Sequence, residues 1–332
     1  METPINLVKL SILKVSDSSV FKTFQVYKVK TKTNQTKKME RLEILKTYKI
    51  YIGGQFPRTE SGRFYPLKNK KGDTLANICQ SSRKDFRNAV VAARGAFGGW
   101  SARAAFNRSQ ILYRIAEMLE GRKEQFISEL ILQGLTEKAA QEEVKLSVDR
   151  LVYYSGWCDK YQAVFSSVNP VASSHFNFSV PEPTGVVAII APEESSLLGL
   201  ITAIAPVIAG GNTCIMLASE SKPLCAVTFA EVLNTSDLPG GVVNIITGSS
   251  EELHSHFSSH MDVNALTYYR NNKNEIKTIK ENASLNVKRI FIYDKLDLIS
   301  DKAQSPYLIF DNQEIKTTWH PIENIGSAKA GY

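Results

Sequence analysis

The chain has 332 residues, of which 43% are hydrophobic, enough for one large core or for one domain with a smaller helical lobe. The longest apolar segment, residues 197–209, is shorter than a membrane span and is interrupted by Gly, Thr and Pro, so we expect no membrane partner. Four cysteines without Cys-x-x-Cys spacing favour a reduced, cytoplasmic chain, and so does the lack of a signal-peptide pattern.

The net charge of +7 is concentrated in residues 1–38, which hold eight Lys against Glu2 and Asp17. We predict that this basic extension is flexible, with an adventitious tail and a start at Met39 as the alternative. A nucleic-acid-binding arm needs clustered Arg and aromatic residues. Because Arg is absent from the extension, no nucleic acid partner is expected. Partial alternation predicts an added strand over residues 20–31.

The next part of the chain predicts a hairpin over residues 48–67 and a short strand over 76–80, followed by helices. Ser81 or Ser82 is placed to cap a first helix, whose apolar residues recur at intervals of three and four. A second helix is predicted from Asn107 or Ser109 to Gly121, a third over 126–132, and a long one from a Thr136 cap to about residue 163. We expect this helical lobe to pack on one face of a sheet.

Residues 183–248 alternate between short β-branched runs, each bounded by Gly or Pro, and helical segments. Further on, helices are predicted over 251–260 and 274–283, and strands over 265–269 and 288–293. Strands that alternate with helices of this length predict an α/β fold with a doubly wound parallel sheet.

We therefore predict one domain over residues 39–294 and a short irregular tail over 295–332. Residues 170–182 alternate around two Phe residues and lead into the predicted sheet.

Several motifs resemble the coenzyme-binding domain of the aldehyde dehydrogenase superfamily. Besides residues 183–248, they include residues 51–56, 93–100 and 108–112, and the likeness covers about residues 48–293. The resemblance implies a Rossmann-like domain with a helical N-terminal lobe, in which residues 170–182 are an oligomerisation strand. It also implies NAD or NADP as cofactor.

The chain departs from the family pattern at three positions. Glu194 stands where active members have the Asn that donates to the oxyanion, and a carboxylate there would repel that charge. The family's Lys after the second strand is missing, and Leu217 precedes the retained Ser219-Glu220 pair. Residues 270–275 lack the glycines that let the helix backbone approach the pyrophosphate.

The resemblance therefore leaves Ser219, Glu220 and Gly248 as the remnant of a cofactor site, with weak or lost affinity for NAD or NADP. No catalytic residue is assigned. The adjacent Glu193 and Glu194 lack a visible acid or nucleophile partner, which favours a loop without function over a general base.

The cysteines and histidines give no further site. We predict that Cys158, Cys214 and Cys225 pack in the core, because apolar runs and helices surround them. His254, His256 and His260 read as a solvated helix face and not as a zinc site, so no metal is expected. The family's nucleophilic Cys segment has no counterpart, and the residues after 293 are too few for its catalytic domain, which implies a truncated C-terminal part.

A narrower resemblance is to the degenerate second unit of the tandem sixteenth aldehyde dehydrogenase family, carried by residues 197–200, 234–244 and 316–321. It implies a stand-alone version of that unit with a complete paralogue as partner. Three functions stay open: a non-catalytic companion subunit that pairs with the paralogue or with itself, an NAD(P)-dependent oxidoreductase acting on aldehydes, and a nucleotide-binding regulator. We favour the first, with pairing through residues 170–182 and an exposed sheet edge.

Overall fold

The computed structural model of the protein describes residues 44–69 and 71–322. Its first part holds three short strands, β1 (Thr47–Tyr48), β2 (Phe64–Lys68) and β3 (Thr74–Cys79). Five helices follow: α1 (Arg83–Ser101), α2 (Ala105–Gly121), α3 (Lys123–Leu132), α4 (Glu137–Trp157) and α5 (Tyr161–Phe165). The predictions for residues 1–38, for Met39 as a start and for a strand over 20–31 lie outside the described residues.

The second part begins with β4 (Ser167–Asn169) and β5 (His175–Pro183). It continues with β6 (Val186–Ile190), α6 (Leu198–Ala209), β7 (Thr213–Leu217), α7 (Leu224–Asn234), β8 (Val243–Ile246), α8 (Ser250–Ser259), β9 (Ala265–Tyr268), α9 (Lys273–Ser284) and β10 (Arg289–Ile292). A 3-10 helix (Asp301–Ala303), α10 (Tyr307–Phe310) and β11 (Gln313–Pro321) come last.

The central sheet has the strand order β10-β9-β6-β7-β8, and all of its pairings are parallel. Every residue of β6, β7, β8 and β9 is buried, as expected for a parallel sheet that helices cover on both faces. The chain runs outward from β6 to β8 and then returns to β9 on the other side of β6. This arrangement confirms the predicted doubly wound fold and places a topological switch point between β6 and β9.

The helices divide between the two faces of the sheet. On one face, α1 and α8 pack Phe86, Val90 and Phe257 against Ala188 and Ile190. On the other face, α6 and α7 pack directly on the sheet, and α2 and α4 cover them. The prediction of one helical block on one face was therefore wrong for α1, because its apolar stripe fits the face that the crossover helices α6 and α7 leave open.

The helix boundaries largely follow the predicted signals. Ser82 precedes α1, and its backbone N–H donates to Asp85 Oδ2 at 2.8 Å. Thr136 Oγ1 accepts from Ala139 N at 3.3 Å and caps α4 as predicted. The second helix begins earlier than predicted, at Ala105, and the long helix stops at Trp157 before the separate α5.

Two strand predictions needed correction. The turn at residues 53–54 exists, and Ile52 pairs with Gln55 across it, but β1 pairs in parallel with β3, and the hairpin is formed by β2 and β3. The tail over 295–332 is not irregular throughout, since β11 pairs antiparallel with all nine residues of β5. Seven of the nine β11 residues are exposed, so the strand carries little apolar signal and is specified by its partner.

Candidate functional site

The carboxyl ends of β6 and β9 meet at the switch point, where ligands of open α/β sheets usually bind. A charged pair joins the loops that follow these two strands: Arg270 Nη1, after β9, lies 3.1 Å from Glu193 Oε2, after β6. The same guanidinium donates from Nε to Ala191 O at 2.8 Å and from Nη2 to Ala218 O at 3.2 Å. Arg270 thus ties together the loops that follow β6, β7 and β9. We call the Glu193–Arg270 pair the loop latch.

The loop latch continues into the loop after β7. The Glu193 carboxylate accepts from Glu220 N at 3.2 Å and from Ser221 N at 2.7 Å. Ser219 Oγ donates to Glu193 O at 2.8 Å and accepts from Lys222 N at 3.0 Å. The predicted cofactor residue Ser219 is 3% exposed, and its hydroxyl is used to hold one loop against another.

Glu194 is exposed beside the latch and lines a cavity of about 900 Å³ between α4, the switch point and the segment after β10. Its main-chain oxygen accepts a hydrogen bond from Lys222 Nζ. We call this space the α4 cavity. The structure places Glu194 in the loop that follows β6, at the carboxyl edge of the parallel sheet.

Glu220 lies in a second cavity, of about 640 Å³, between the amino termini of α8 and α9. Ser249, Ser250, Arg270 and Glu275 also line it. Gly248 precedes this wall and has a φ of 146°, a region that favours glycine. The structure therefore brings Glu220 to the same cavity as the turn after Gly248, whereas Ser219 lies behind it.

The amino terminus of α9, which faces this second cavity, is capped by the chain's own side chains. Asn272 Oδ1 accepts from Asn274 N at 3.1 Å and from Glu275 N at 3.4 Å. The Glu275 carboxylate accepts from Ser250 Oγ and Tyr268 Oη, both at 2.8 Å. Since helix N–H groups are what binds phosphate at such a terminus, Asn272 takes donors that an anion would otherwise use.

Sequence reasoning missed the Glu193–Arg270 pairing and the Glu275 network. A signal for the first was present: residues of opposite charge follow two strands that a doubly wound order places side by side. No comparable signal marked Glu275, because its partners come from α8 and β9.

All four cysteines are buried. Burial raises the pKa of the Cys158 thiol to about 12 and raises those of Cys79, Cys214 and Cys225. These thiols are protonated at neutral pH, so none is an activated nucleophile. The predicted packing of Cys158, Cys214 and Cys225 is confirmed.

The described ranges 44–69 and 71–322 contain no group of three or more His, Cys, Asp or Glu residues placed to hold a metal ion. Of the three histidines in and after α8, His256 and His260 have pKa values lowered mainly by partial burial. Within the same ranges, no helix is both long enough and apolar enough to cross a membrane.

Comparison with known proteins agrees with this fold. The model of the aldehyde dehydrogenase family matches residues 57–292. Human mitochondrial 10-formyltetrahydrofolate dehydrogenase is 31% identical over 274 residues, which are 81% of this chain and 29% of the human protein. The mitochondrial benzaldehyde dehydrogenase of Antirrhinum majus is 28% identical over 272 residues, 80% of this chain and 49% of that protein.

Solved structures give the same result. The NAD+ complex of an aldehyde dehydrogenase from Bacillus cereus aligns with a TM-score of 0.71 at 25% identity, over 74% of this chain and 50% of that one. HpcC from Thermus thermophilus aligns with a TM-score of 0.71 at 27% identity, and the alignment covers 74% of this chain and 48% of HpcC. The chain thus spans half or less of the relatives it matches. The fold is that of a doubly wound α/β domain, and the chain belongs to the aldehyde dehydrogenase family.

Proposed function

We propose that this chain is a non-catalytic companion subunit of a complete aldehyde dehydrogenase, as a stand-alone relative of the degenerate tandem unit. The observation that carries the proposal is the loop latch. Glu193 and Arg270 use their charges on each other and on the loop after β7, at the edge where a dinucleotide would need free donors. A bound pyrophosphate would also meet the Glu193 carboxylate, and like charges repel.

Glu194 supports the same proposal, because it stands where the reaction would need a hydrogen-bond donor. Transition-state stabilisation of aldehyde oxidation needs hydrogen-bond donors aimed at the developing oxyanion, and an ionised carboxylate has none. Loss of one such donor typically lowers the rate by about 10²–10³-fold. The four buried thiols support the proposal as well, because burial keeps them protonated and none is an activated nucleophile.

The proposed partner surface is the three-stranded sheet β11-β5-β4, in which β5 includes residues 175–182 of the predicted pairing segment 170–182. Its two outer strands leave backbone groups unpaired along their outer edges, and such edges favour strand addition. Val168, Phe176 and Trp319 are 46–67% exposed on this sheet, so it also offers apolar area to a partner. A complete paralogue or a second copy would cover this surface, in the cytoplasm.

Two measurements test the proposal. Purified protein is assayed for NADH and NADPH formation with aldehydes, alone and with a complete aldehyde dehydrogenase from the same cell. Complex formation is measured by size-exclusion chromatography with light scattering. We expect no hydride transfer by the chain alone and a complex with the complete enzyme. Turnover by the chain alone would refute the companion role and favour the NAD(P)-dependent oxidoreductase.

A second candidate is a nucleotide-binding regulator, and the 640 Å³ cavity beside Glu220 is the observation that favours it. Thermal unfolding with saturating NAD+ or NADP+ distinguishes the two, because a ligand at 100 times its Kd adds about 2.7 kcal/mol of stability. The companion role predicts no shift with either nucleotide. A clear shift without turnover would favour the regulator.

A further inference from the structure

On the face of the sheet opposite to α4, the helices α1 and α8 are held together by aromatic rings. Phe86 of α1 stacks on Phe257 of α8, with ring centroids 4.2 Å apart and planes inclined by 20°. The imidazole of His260, at the carboxyl end of α8, meets the Phe86 ring edge-on, with centroids 5.8 Å apart. Both phenylalanines are buried, so this contact fixes the two helices and the polar side chains along it.

Four basic side chains lie along this contact, spaced four residues apart on each helix: Arg83 and Arg87 on α1, and His256 and His260 on and at the end of α8. We call this set the α1–α8 seam. Residues four apart lie on the same face of a helix, so each pair forms one side of the seam. Partial burial lowers the pKa values of both imidazoles, and Arg83 is close enough to lower them further.

The positive charge of the two arginines is not neutralised by carboxylates. In the described part of the chain, no carboxylate oxygen lies within 4.0 Å of the guanidinium nitrogens of Arg83 or Arg87. Glu252 acts on His256, but its carboxylate is held by Arg63 at 2.6 Å. The seam therefore has a net positive charge that attracts anions.

The helix ends at the seam favour an anion as well. Arg83 is the first residue of α1, where the helix dipole is positive. The carboxyl end of α8 is negative, but Lys288 Nζ offsets it by donating to His260 O at 2.8 Å and to Phe257 O at 3.5 Å. His260 Nδ1 accepts from Asp262 N at 3.2 Å, so the neutral ring carries its proton on Nε2, which is a donor.

We propose that the α1–α8 seam binds a tetrahedral dianion, the phosphate group of a small phosphate ester. Guanidinium groups donate in pairs to phosphate oxygens, and each imidazole adds one further donor. Two arginines from one helix and two imidazoles from the other reach the same space, and a dianion matches this charge better than a carboxylate or chloride ion does. The proposal is independent of the companion role, because the seam belongs neither to the switch point nor to the proposed partner surface.

The direct test uses the imidazole NMR signals of the full chain, which has five histidines. The protein is titrated with sodium sulfate and, separately, with sodium phosphate, at constant ionic strength set with sodium chloride. We expect saturable shifts of His256 and His260 with both dianions. His175 and His320 lie in the pair of strands β5 and β11 and are the internal controls. Equal shifts of all the histidines, or no shift against the chloride background, would overturn the proposal.

The pH dependence tests the role of the imidazoles. Sulfate is a dianion throughout the range used, whereas phosphate titrates within it. Bound sulfate favours the protonated imidazoles, whose pKa values lie below 6.5 in the free protein, so binding is coupled to proton uptake. The other charged or titratable groups that act on the two imidazoles are Arg83, Arg87, Glu252, His254, Asp262 and Lys288.

Lys288 has a pKa of about 8 and stays mostly charged below neutral pH. The affinity for sulfate should therefore increase about three-fold or more when the pH falls from about 7 to about 5.5, because His256 and His260 take up protons over this range. An affinity that is constant or falls over this range would contradict binding by the imidazoles.

Variants locate the site. Arg83→Gln and Arg87→Gln should each weaken sulfate binding by about three- to ten-fold, and Asp262→Asn should strengthen it. Lys84→Gln is the matched control, because Lys84 is exposed next to Arg83 but pairs with Glu60 at 3.0 Å. Urea unfolding of each variant confirms that it is folded. Unaltered binding in both arginine variants would place the anion elsewhere and refute the site.

Vesicles distinguish a soluble phosphate ester from a phosphate headgroup on a membrane. The full chain is sedimented with phosphatidylcholine vesicles that contain phosphatidic acid, at physiological salt. We expect it to stay in the supernatant, because stable attachment takes an apolar anchor besides a basic surface. Cosedimentation that Arg83→Gln abolishes, together with unshifted histidines in soluble phosphate, would overturn the proposal in favour of a lipid surface.

Discussion

Arg270 lies with its guanidinium 3.1 Å from the Glu193 carboxylate and donates to two main-chain oxygens that follow β6 and β7. Its side chain is only 11% exposed, whereas that of Glu193 is 34% exposed. A guanidinium held in this way by one carboxylate and two carbonyls is a fixed part of the fold. The loops that follow β6 and β9 at the switch point are therefore joined to each other by their own side chains.

The first prediction concerns the strength of this pair. Glu193→Gln should lower the free energy of unfolding by about 1–3 kcal/mol, because a mostly buried guanidinium loses its counter-charge. A double-mutant cycle with Arg270→Met should give a coupling energy of about 1 kcal/mol or more, measured by urea unfolding. The exposed pair Lys277–Glu281 is the control, and its cycle should give less than about 0.5 kcal/mol. Similar coupling in both cycles would contradict a structural latch.

The second prediction concerns the amino terminus of α6. Glu143 Oε1 accepts from Ser195 Oγ at 2.8 Å and from Leu197 N and Leu198 N, both at 3.0 Å. A carboxylate from α4 thus caps two backbone N–H groups at the start of α6, and Ser195 Oγ accepts from a third, Gly199 N, at 2.8 Å.

Glu143→Gln should cost about 1–2 kcal/mol of stability in chemical unfolding, because charge-assisted bonds become neutral ones. The neighbouring Glu142→Gln, at an exposed position, should change stability by less than about 0.5 kcal/mol. Equal effects of the two substitutions would show that the cap contributes nothing measurable.

The sequence identified the parallel sheet because its strands are short β-branched runs with Gly or Pro at both ends. Such runs are typical of strands that are buried on both faces of a parallel sheet. It did not identify β11, whose residues are mostly exposed and have no alternation that distinguishes them from a loop. Pairing with β5 specifies that strand, and pairing over a separation of more than 100 residues is invisible to a local pattern.

The candidate site divides in the same way. Glu194 and Glu220 lie in the loops after β6 and β7, and the sequence indicated this edge because both residues come shortly after predicted strands. The hydrogen bond from Ser219 Oγ to Glu193 O was not predictable, because Glu193 lies in the loop after a different strand. Whether the α9 terminus was open depended on the rotamer of Asn272, which the sequence does not specify.

The third prediction concerns Gly241, which has a φ of 93°. An added Cβ would lie 2.6 Å from Ala92 O, so both the conformation and the space require glycine. Gly241→Ala should therefore lower the free energy of unfolding, measured by urea unfolding, by about 2–4 kcal/mol, because it separates α1 from the start of β8. Gly95→Ala is the matched control, because Gly95 is exposed within α1 and nothing lies within 4 Å of its added Cβ. The Gly95→Ala variant should gain about 0.5–1 kcal/mol in free energy of unfolding. Destabilisation by both substitutions would show that α1 tolerates no added methyl group, and the effect at Gly241 would then not be specific.

The last prediction concerns Lys288, whose side chain lies under α8. Its Nζ donates to His260 O at 2.8 Å and to Phe257 O at 3.5 Å, and no salt bridge joins it to another part of the described chain. Desolvation lowers its pKa from 10.5 to about 8. Between these two pH values the unfolded chain binds more protons at this position than the folded chain does. The contribution of Lys288 to stability should therefore increase as the pH rises from about 8 to 10.5.

Lys288→Met isolates this contribution, because every other titrating group is common to both proteins. The difference in unfolding free energy between wild type and Lys288→Met should shift in favour of the wild type by about 1–3 kcal/mol across this pH range, at about 1.4 kcal/mol per pKa unit. Urea unfolding at several pH values measures it. A constant difference would mean that the two carbonyl acceptors offset the desolvation of the ammonium group completely, so that Lys288 stays charged in the folded protein throughout the range.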